Sequence, residues 1–291
     1  MRWGTTFSKK YCQELKIDWQ HAFREIIKIK GLDSIRLCAY WDLVEPVRSE
    51  FEFTDLDWQV ELAAAAGLDI TLAMGRKVPR WPEYHEPVWT DNPEKDVLNY
   101  ITALVNHYSD EKAIRVWQLE NEPFYDFGIT DLEVTEDLVR KETELVRLHD
   151  SRDILITDSG ENGDWKKASE YGDMVGVNVY KITYDHDLGM YNYNSFPPGF
   201  YTSKVNALEM PVIVVELQAE PWGPEHFASD LKGEEWKKSI NPKQLQSNVD
   251  LVVEAGFKEV WFWGSEWWIY LTEQGDESMF EAAKAIISQR R

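Results

Sequence analysis

Cysteine is nearly absent from this 291-residue chain: Cys12 and Cys38 are the only two. Neither belongs to a C-x-x-C pair, so no thiolate metal site is spelled out, and two buried, unbridged thiols are expected. Positive charge is also short. Lys and Arg number 31 against 52 Asp and Glu, a formal net charge of −21. Such a surface repels polyanions, which argues against a nucleic-acid partner. There is no apolar run of about eighteen residues, so no membrane-spanning helix is expected. A G-x-G-x-x-G turn after a strand is missing as well, which weakens any dinucleotide-binding reading. The opening MRWGTTFS enters a strand-like run at once instead of a leader segment. The compartment is left open by this: secreted or cell envelope is expected if a leader was trimmed, and cytoplasmic otherwise. Linkers and low-complexity stretches are lacking too, and one domain over residues 1–291 is expected.

What the chain has in excess is aromatic surface: 14 Trp, 13 Tyr and 12 Phe. Some must fill the core, but so many indoles also suit a cleft that stacks on sugar faces. The second feature is alternation. Apolar strand-like runs at Arg2–Phe7, Ser34–Ala39, Asp69–Met74, Ile114–Leu119, Ile154–Thr157, Met174–Val179, Val212–Val215 and Val260–Phe262 are each followed by an amphipathic stretch. Runs such as DITLAM and VIVV are apolar throughout, as strands buried on both faces must be. Strand–helix alternation gives a parallel sheet with right-handed crossovers. Eight units predict a closed (β/α)8 TIM barrel, of class α/β. In that architecture the chemistry gathers where strands end.

The strand ends are rich in it. The second strand carries Arg36 and leads to Trp41; the third leads to Trp81 and Glu83; the fourth ends in Glu120, Asn121 and Glu122. The sixth leads to Tyr180, the seventh to Glu216, Gln218 and Glu220, and the eighth to Trp263 and Glu266. Two carboxylates that protonate a leaving oxygen and meet an oxocarbenium-like centre are what glycosidic-bond cleavage requires. Strands four and seven stand across a barrel, so carboxylates there are expected about 5 Å apart, the spacing of a retaining enzyme.

With Asn121-Glu122 in ENEP closing strand four and Glu216 in PVIVVELQ closing strand seven, the chain resembles clan A of the glycoside hydrolases. The likeness runs strand by strand over the whole chain. It implies Glu122 as general acid/base and Glu216 as nucleophile, one protonated while the other is ionised. It further implies that Asn121 holds the hydroxyl next to the anomeric carbon, that Arg36 supports the nucleophile electrostatically and that Tyr180 hydrogen-bonds it. Trp263 matches the tryptophan that floors the cleaved sugar's subsite, often beside a non-proline cis peptide. Trp41 and Trp81, with Trp222, are candidate stacking platforms, and Glu83 and Glu266 candidate hydroxyl contacts. Several families of the clan have histidine where this chain has Arg76-Lys77, which leaves the sugar open.

Rivals exist within and beyond this reading. Glu120 competes with Glu122 and Glu220 with Glu216, but the pattern puts the acid after Asn, and the seventh strand should be exhausted near Glu216. A non-catalytic carbohydrate-binding barrel would lack one of the carboxylates. A metal-dependent hydrolase needs His-x-His on strand one, which reads RWGTTFS. A Schiff-base aldolase could use Lys77 or Lys181 but leaves two glutamates unexplained. The expectation is therefore a retaining β-glycosidase with carbohydrate as its partner and no cofactor, acting inside β-linked chains rather than from their ends. The longer segments after strands six and seven keep exo action as the alternative, and oligomeric state is undetermined.

Overall fold

The computed structural model describes residues 1–125 and 133–289. Its elements run in the order strand, helix, strand. β1 (Arg2–Phe7) is followed by α1 (Lys9–Leu15) and α2 (Trp19–Ile27), then β2 (Ser34–Cys38), α3 (Trp41–Val44) and α4 (Thr54–Ala65). Next come β3 (Asp69–Met74), α5 (Pro93–His107), β4 (Ile114–Leu119), α6 (Glu136–His149), β5 (Asp153–Asp158) and α7 (Trp165–Ser169). β6 (Met174–Val179) leads into a small hairpin, β7 (Ile182–Asp185) and β8 (Met190–Tyr193), before α8 (Pro198–Asn206). The chain closes with β9 (Val212–Gln218), α9 (Pro242–Glu254), β10 (Glu259–Trp263), α10 (Ser265–Glu273) and α11 (Ser278–Ser288).

Eight of the strands form a closed barrel in the order β1-β10-β9-β6-β5-β4-β3-β2, and β7 and β8 make a separate two-stranded sheet. The fold is thus an α/β (β/α)8 barrel, with β9 and β10 as its seventh and eighth strands. Parallel register is explicit where β1 meets β10 (Trp3 opposite Val260), β3 meets β4 (Leu72 opposite Trp117) and β4 meets β5 (Trp117 opposite Ile154). Every residue of β2 and of β9 is buried, as parallel strands covered on both faces must be.

The chain groups into two compact units. One comprises residues 1–34, 177–207 and 213–291 and holds β1, β9, β10 and the hairpin; Phe7, Phe23, Phe262 and Trp268 are buried in it. The other comprises residues 35–176 and 208–212 and holds β3, β4 and β5; Trp41, Tyr100, Trp117 and Leu72 are buried there. Cys12 and Cys38 are both buried, and neither is in a disulfide.

Several elements differ from the sequence expectation, α3 among them. α1 is extra: Ser8 caps it by accepting from the Tyr11 amide, and Lys16 ends it in the left-handed region, so no glycine marks its stop. The hairpin occupies what reads as a Tyr/Asn-rich loop. The SEWWIYLTE stretch after β10 is the helix α10, so Glu266, Trp267 and Trp268 are helical residues and Trp263 alone ends the strand. Among the described residues no helix is long and apolar enough to cross a membrane.

Candidate active site

The turn that closes β4 is built from backbone that ordinary residues avoid. Glu120 and Glu122 have φ of 54° and 45°, in the left-handed region, on either side of Asn121. Such conformations persist only where neighbours over-determine them, and here the neighbours can be named. The Glu120 amide donates to Met74 O, and its carboxylate accepts from the amides of Arg76 (2.9 Å) and Lys77 (2.6 Å). The Glu122 amide donates to Thr157 Oγ1 on β5 at 2.8 Å. The Lys77 ammonium, almost fully buried, reaches the carbonyls of Glu122 (3.3 Å) and Tyr125 (3.2 Å). Lys77 therefore clamps this turn.

Asn121 is oriented from three sides. Its Oδ1 accepts from Gln118 Nε2 (3.2 Å) and Thr157 Oγ1 (3.3 Å), while its Nδ2 donates to Glu83 Oε2 (2.8 Å). Only one amide orientation satisfies all three contacts. Gln118 in turn accepts from Arg36 NH1 at 3.1 Å, so the β2 arginine, fully buried, is linked to the Asn121 network through Gln118. Glu83 sits at φ 73° after β3; one carboxylate oxygen takes the Arg80 amide (3.1 Å) and the other takes Asn121. The sequence suggests a sugar contact for Glu83, whereas its carboxylate is already spent on positioning Asn121. Removing it takes the Glu83 acceptor away from two buried donors. Glu83→Ala is expected to lower stability by about 2–4 kcal/mol. A chemical-denaturation midpoint unchanged from the parent would mean that the bridge holds nothing.

Beneath the turn lies a pair that sequence reasoning missed. Glu142, on α6, and Glu120 are both fully buried. No N–H or hydroxyl donor among the described residues reaches either oxygen of Glu142; its partner is the Glu120 carboxylate. Burial, followed by the charge of Glu120 and the hydrogen bond to it, pushes the Glu142 carboxyl well above the usual carboxylate range. Burial raises Glu120 as well, opposed by the Glu142 proton and the two backbone amides. One proton shared between two carboxyls resolves the conflict, with Glu142 donating to Glu120. Gly75, at φ 131°, lies so close that a Cβ there would stand 2.6 Å from the Glu120 carboxyl carbon.

The other candidate carboxylate, Glu216, is buried within β9, two residues before the strand ends at Gln218. The strand thus runs past Glu216, beyond the expected limit. Tyr180, directly after β6, donates its hydroxyl to Glu216 Oε2 at 2.9 Å. Trp222 stands edge-on to the Tyr180 ring, with centroids 5.6 Å apart. Gln218 holds the start of the hairpin: its Oε1 accepts from the amides of Lys181 and Ile182 and its Nε2 donates to Ile182 O. Glu220, the sequence rival of Glu216, is committed elsewhere, accepting from Trp263 Nε1 at 2.9 Å.

The remaining candidates divide. Trp81 is exposed (43%). Trp263 is buried except for a small edge, and the described residues contain no non-proline cis peptide beside it; the cis bond is Trp81-Pro82. Trp41 is corrected outright. Its indole is fully buried, stacked on Tyr100 at 5.7 Å with Trp89 edge-on, and donates to Glu45 Oε2, so no face is left for a ligand. Glu266 is likewise buried, its carboxylate accepting from the Ser8 amide. It ties α10 to the start of α1 and is not displayed to solvent.

No family model matches the chain, and no curated protein does. Solved structures do. A GH5_18 protein of Bifidobacterium longum, solved with Manβ1-4GlcNAc, superposes with a TM-score of 0.67 at 14% identity, over 100% of this chain and 78% of that one. An endo-β-1,4-xylanase of glycoside hydrolase family 10 from Gloeophyllum trabeum gives 0.62 at 15% identity, over 99% and 96%. A β-galactosidase from the haloarchaeon Halorubrum lacusprofundi gives 0.59 at 15% identity; the match covers 90% of this chain but only 52% of that one. The chain has the fold of all three.

Proposed function

We propose that the protein is a retaining β-glycoside hydrolase, with Glu216 as nucleophile and Glu122 as general acid/base. The observation that carries the reading is the Tyr180 hydroxyl on Glu216 Oε2, 2.9 Å away. It turns a carboxylate within a core strand into an oriented group. The left-handed turn that presents Asn121 and Glu122 at the end of β4 supports it, as do neighbours whose names all specify β-linked sugars.

In this mechanism the Glu122 carboxyl gives its proton to the glycosidic oxygen as the Glu216 carboxylate attacks the anomeric carbon from the opposite face. The bond to the leaving sugar breaks and a glycosyl ester forms. Glu122, now a carboxylate, takes a proton from water; the hydroxide so formed displaces Glu216, and the configuration is restored. One N–H of Asn121 is committed to Glu83, and the other is assigned to the hydroxyl beside the anomeric carbon. Arg36 is assigned the electrostatic support of Glu216, and Trp263 and Trp81 are assigned to sugar faces.

Within this class we favour cleavage inside a β-linked polysaccharide, with exo action as the second reading because the segments after β6 and β9 are long. Hydrolysis of aryl β-glycosides and of β-glucan, β-mannan, β-galactan and xylan tests both levels. The expected result is turnover of at least one substrate, with the β-anomer as the first product seen by proton NMR. An α-anomer would rule out the double displacement. Release of monosaccharide alone from the non-reducing end would replace endo by exo action.

A further inference from the structure

The hairpin after β6 and the turn that follows it expose several large apolar side chains. Within nine residues, Leu188 (71%), Met190 (55%), Tyr193 (64%) and Phe196 (41%) all lie open. Concentrations of exposed apolar side chains usually mark a binding surface. The pairing Ile182 opposite Tyr193 and Tyr184 opposite Tyr191 puts three tyrosines on one face, because side chains alternate along a strand.

That face is held rigidly. Gln218 grips the hairpin's first backbone groups with three hydrogen bonds. Asn194 returns the chain by donating its amide N–H to Lys181 O and its Nδ2 to Tyr180 O. Tyr191 donates its hydroxyl to Glu235 at 3.0 Å, and the Lys238 ammonium lies 5.7 Å from the Tyr191 ring centre. Tyr184 packs edge-on against Tyr191. Tyr193, opposite Ile182, is left as the open end of this aromatic row.

Position decides what the row is for. The hairpin departs from Tyr180, the residue that holds Glu216, and Ile182 is only two residues further on, roughly 7 Å along an extended chain. The hairpin that carries the open tyrosine therefore begins beside the residue that holds Glu216. The hairpin adds Asp185 and Asp187 to a chain of net charge −21, which disfavours anionic polymers and anionic lipid surfaces. A neutral pyranose, with apolar C–H faces and hydroxyl edges, matches an exposed tyrosine ring. We propose that the Tyr193 face of the hairpin is a distal subsite for the substrate glycan, binding a sugar beyond those flanking the cleaved bond. The proposal rests on the glycosidase reading for the identity of its ligand.

The test is calorimetric titration of β-1,4-linked hexasaccharides and disaccharides of glucose, mannose, galactose and xylose. It uses the full chain carrying Glu122→Gln, so that the ligand survives. In that background Tyr193→Ala is expected to weaken the bound hexasaccharide 5- to 20-fold and leave the matching disaccharide unchanged, while Tyr193→Trp keeps the parent affinity. Equal hexasaccharide affinity with and without Tyr193 overturns the proposal. So does an equal loss for the disaccharide, or failure of every hexasaccharide to bind. Self-association in sedimentation that Tyr193→Ala abolishes, with glycan affinity unaltered, would assign the face to a second copy of the chain instead. Tyr193-dependent hexasaccharide binding by a wild-type protein that hydrolyses nothing would keep the subsite and reject the hydrolase reading.

Discussion

Alanine at position 216 is expected to slow hydrolysis of an aryl β-glycoside by about 10⁴-fold or more, and added azide to restore part of the rate. Loss of a covalent nucleophile removes an interaction made in the transition state, so kcat falls with kcat/KM. Four decades correspond to about 5.5 kcal/mol of barrier. The truncated side chain leaves room on the face from which Glu216 attacks. Azide there displaces the aryloxide in one step and gives the α-glycosyl azide, with inverted configuration. Glu122→Ala should behave differently. A good leaving group needs little protonation, so the glycosyl ester still forms, and azide then attacks it from the other face to give the β-azide. The two opposite azides would assign the two roles from one experiment. Glu220→Ala, which removes the partner of the Trp263 indole, should show neither rescue. If Glu216→Ala retained near-parental activity, the nucleophile would be elsewhere and the proposed mechanism would fall.

The second large effect concerns the buried Glu120–Glu142 pair and is read as stability against pH. In the fold the Glu142 carboxyl is raised well above its ordinary range by burial and by Glu120, whereas in the unfolded chain it ionises as any glutamate does. Between those two values the folded state binds one proton more than the unfolded state. The stability contributed by the shared proton is complete below the unfolded pKa and is lost as pH rises through the folded one. The slope for one proton is about −1.4 kcal/mol per pH unit in that window. Glu142→Gln replaces the donor O–H by an N–H of nearly the same shape, which no base can remove. Denaturant unfolding from pH 5 to 9 is expected to show parental stability at the acid end and a flatter profile above it. Glu120→Gln is expected to cost about 2–4 kcal/mol at neutral pH, because the amide puts an NH2 donor in place of one of the two oxygens that accept separately from the Arg76 and Lys77 N–H groups. Parallel pH profiles for the parent and Glu142→Gln would show that the pair holds no extra proton.

The pair bears on function because Glu120 immediately precedes Asn121 and Glu122. The same carboxylate that holds the amides of the β3 exit fixes the start of the left-handed turn. Inferring catalysis from such a turn is sound only in one direction, from observed conformation to hypothesis. Here the hypothesis also has its two carboxylates and the shared fold of the neighbours.

Much of the architecture was written in local pattern. Eight apolar runs, each too short for a helix and each followed by an amphipathic stretch, leave little choice but a parallel closed sheet. The sequence also singled out Glu122 and Glu216 as the candidates proposed above, because an ionisable residue near the end of a core strand stands out against its apolar neighbours. Tertiary structure decided the rest. Glu120, Gln118 and Gln218 look like ordinary polar strand-end residues, and their tasks depend on partners set by the barrel: Arg76 and Lys77, Arg36, and the start of the hairpin. Glu142 reads as one more acid on a charged helix, and only the packing of α6 buries it against Glu120. Trp41 looks like a stacking platform at a strand exit until α3 turns it inward onto Tyr100. Period and polarity are carried by neighbours in the chain. Burial and hydrogen-bond partnership are carried by residues tens of positions away, and a single sequence does not state those distances.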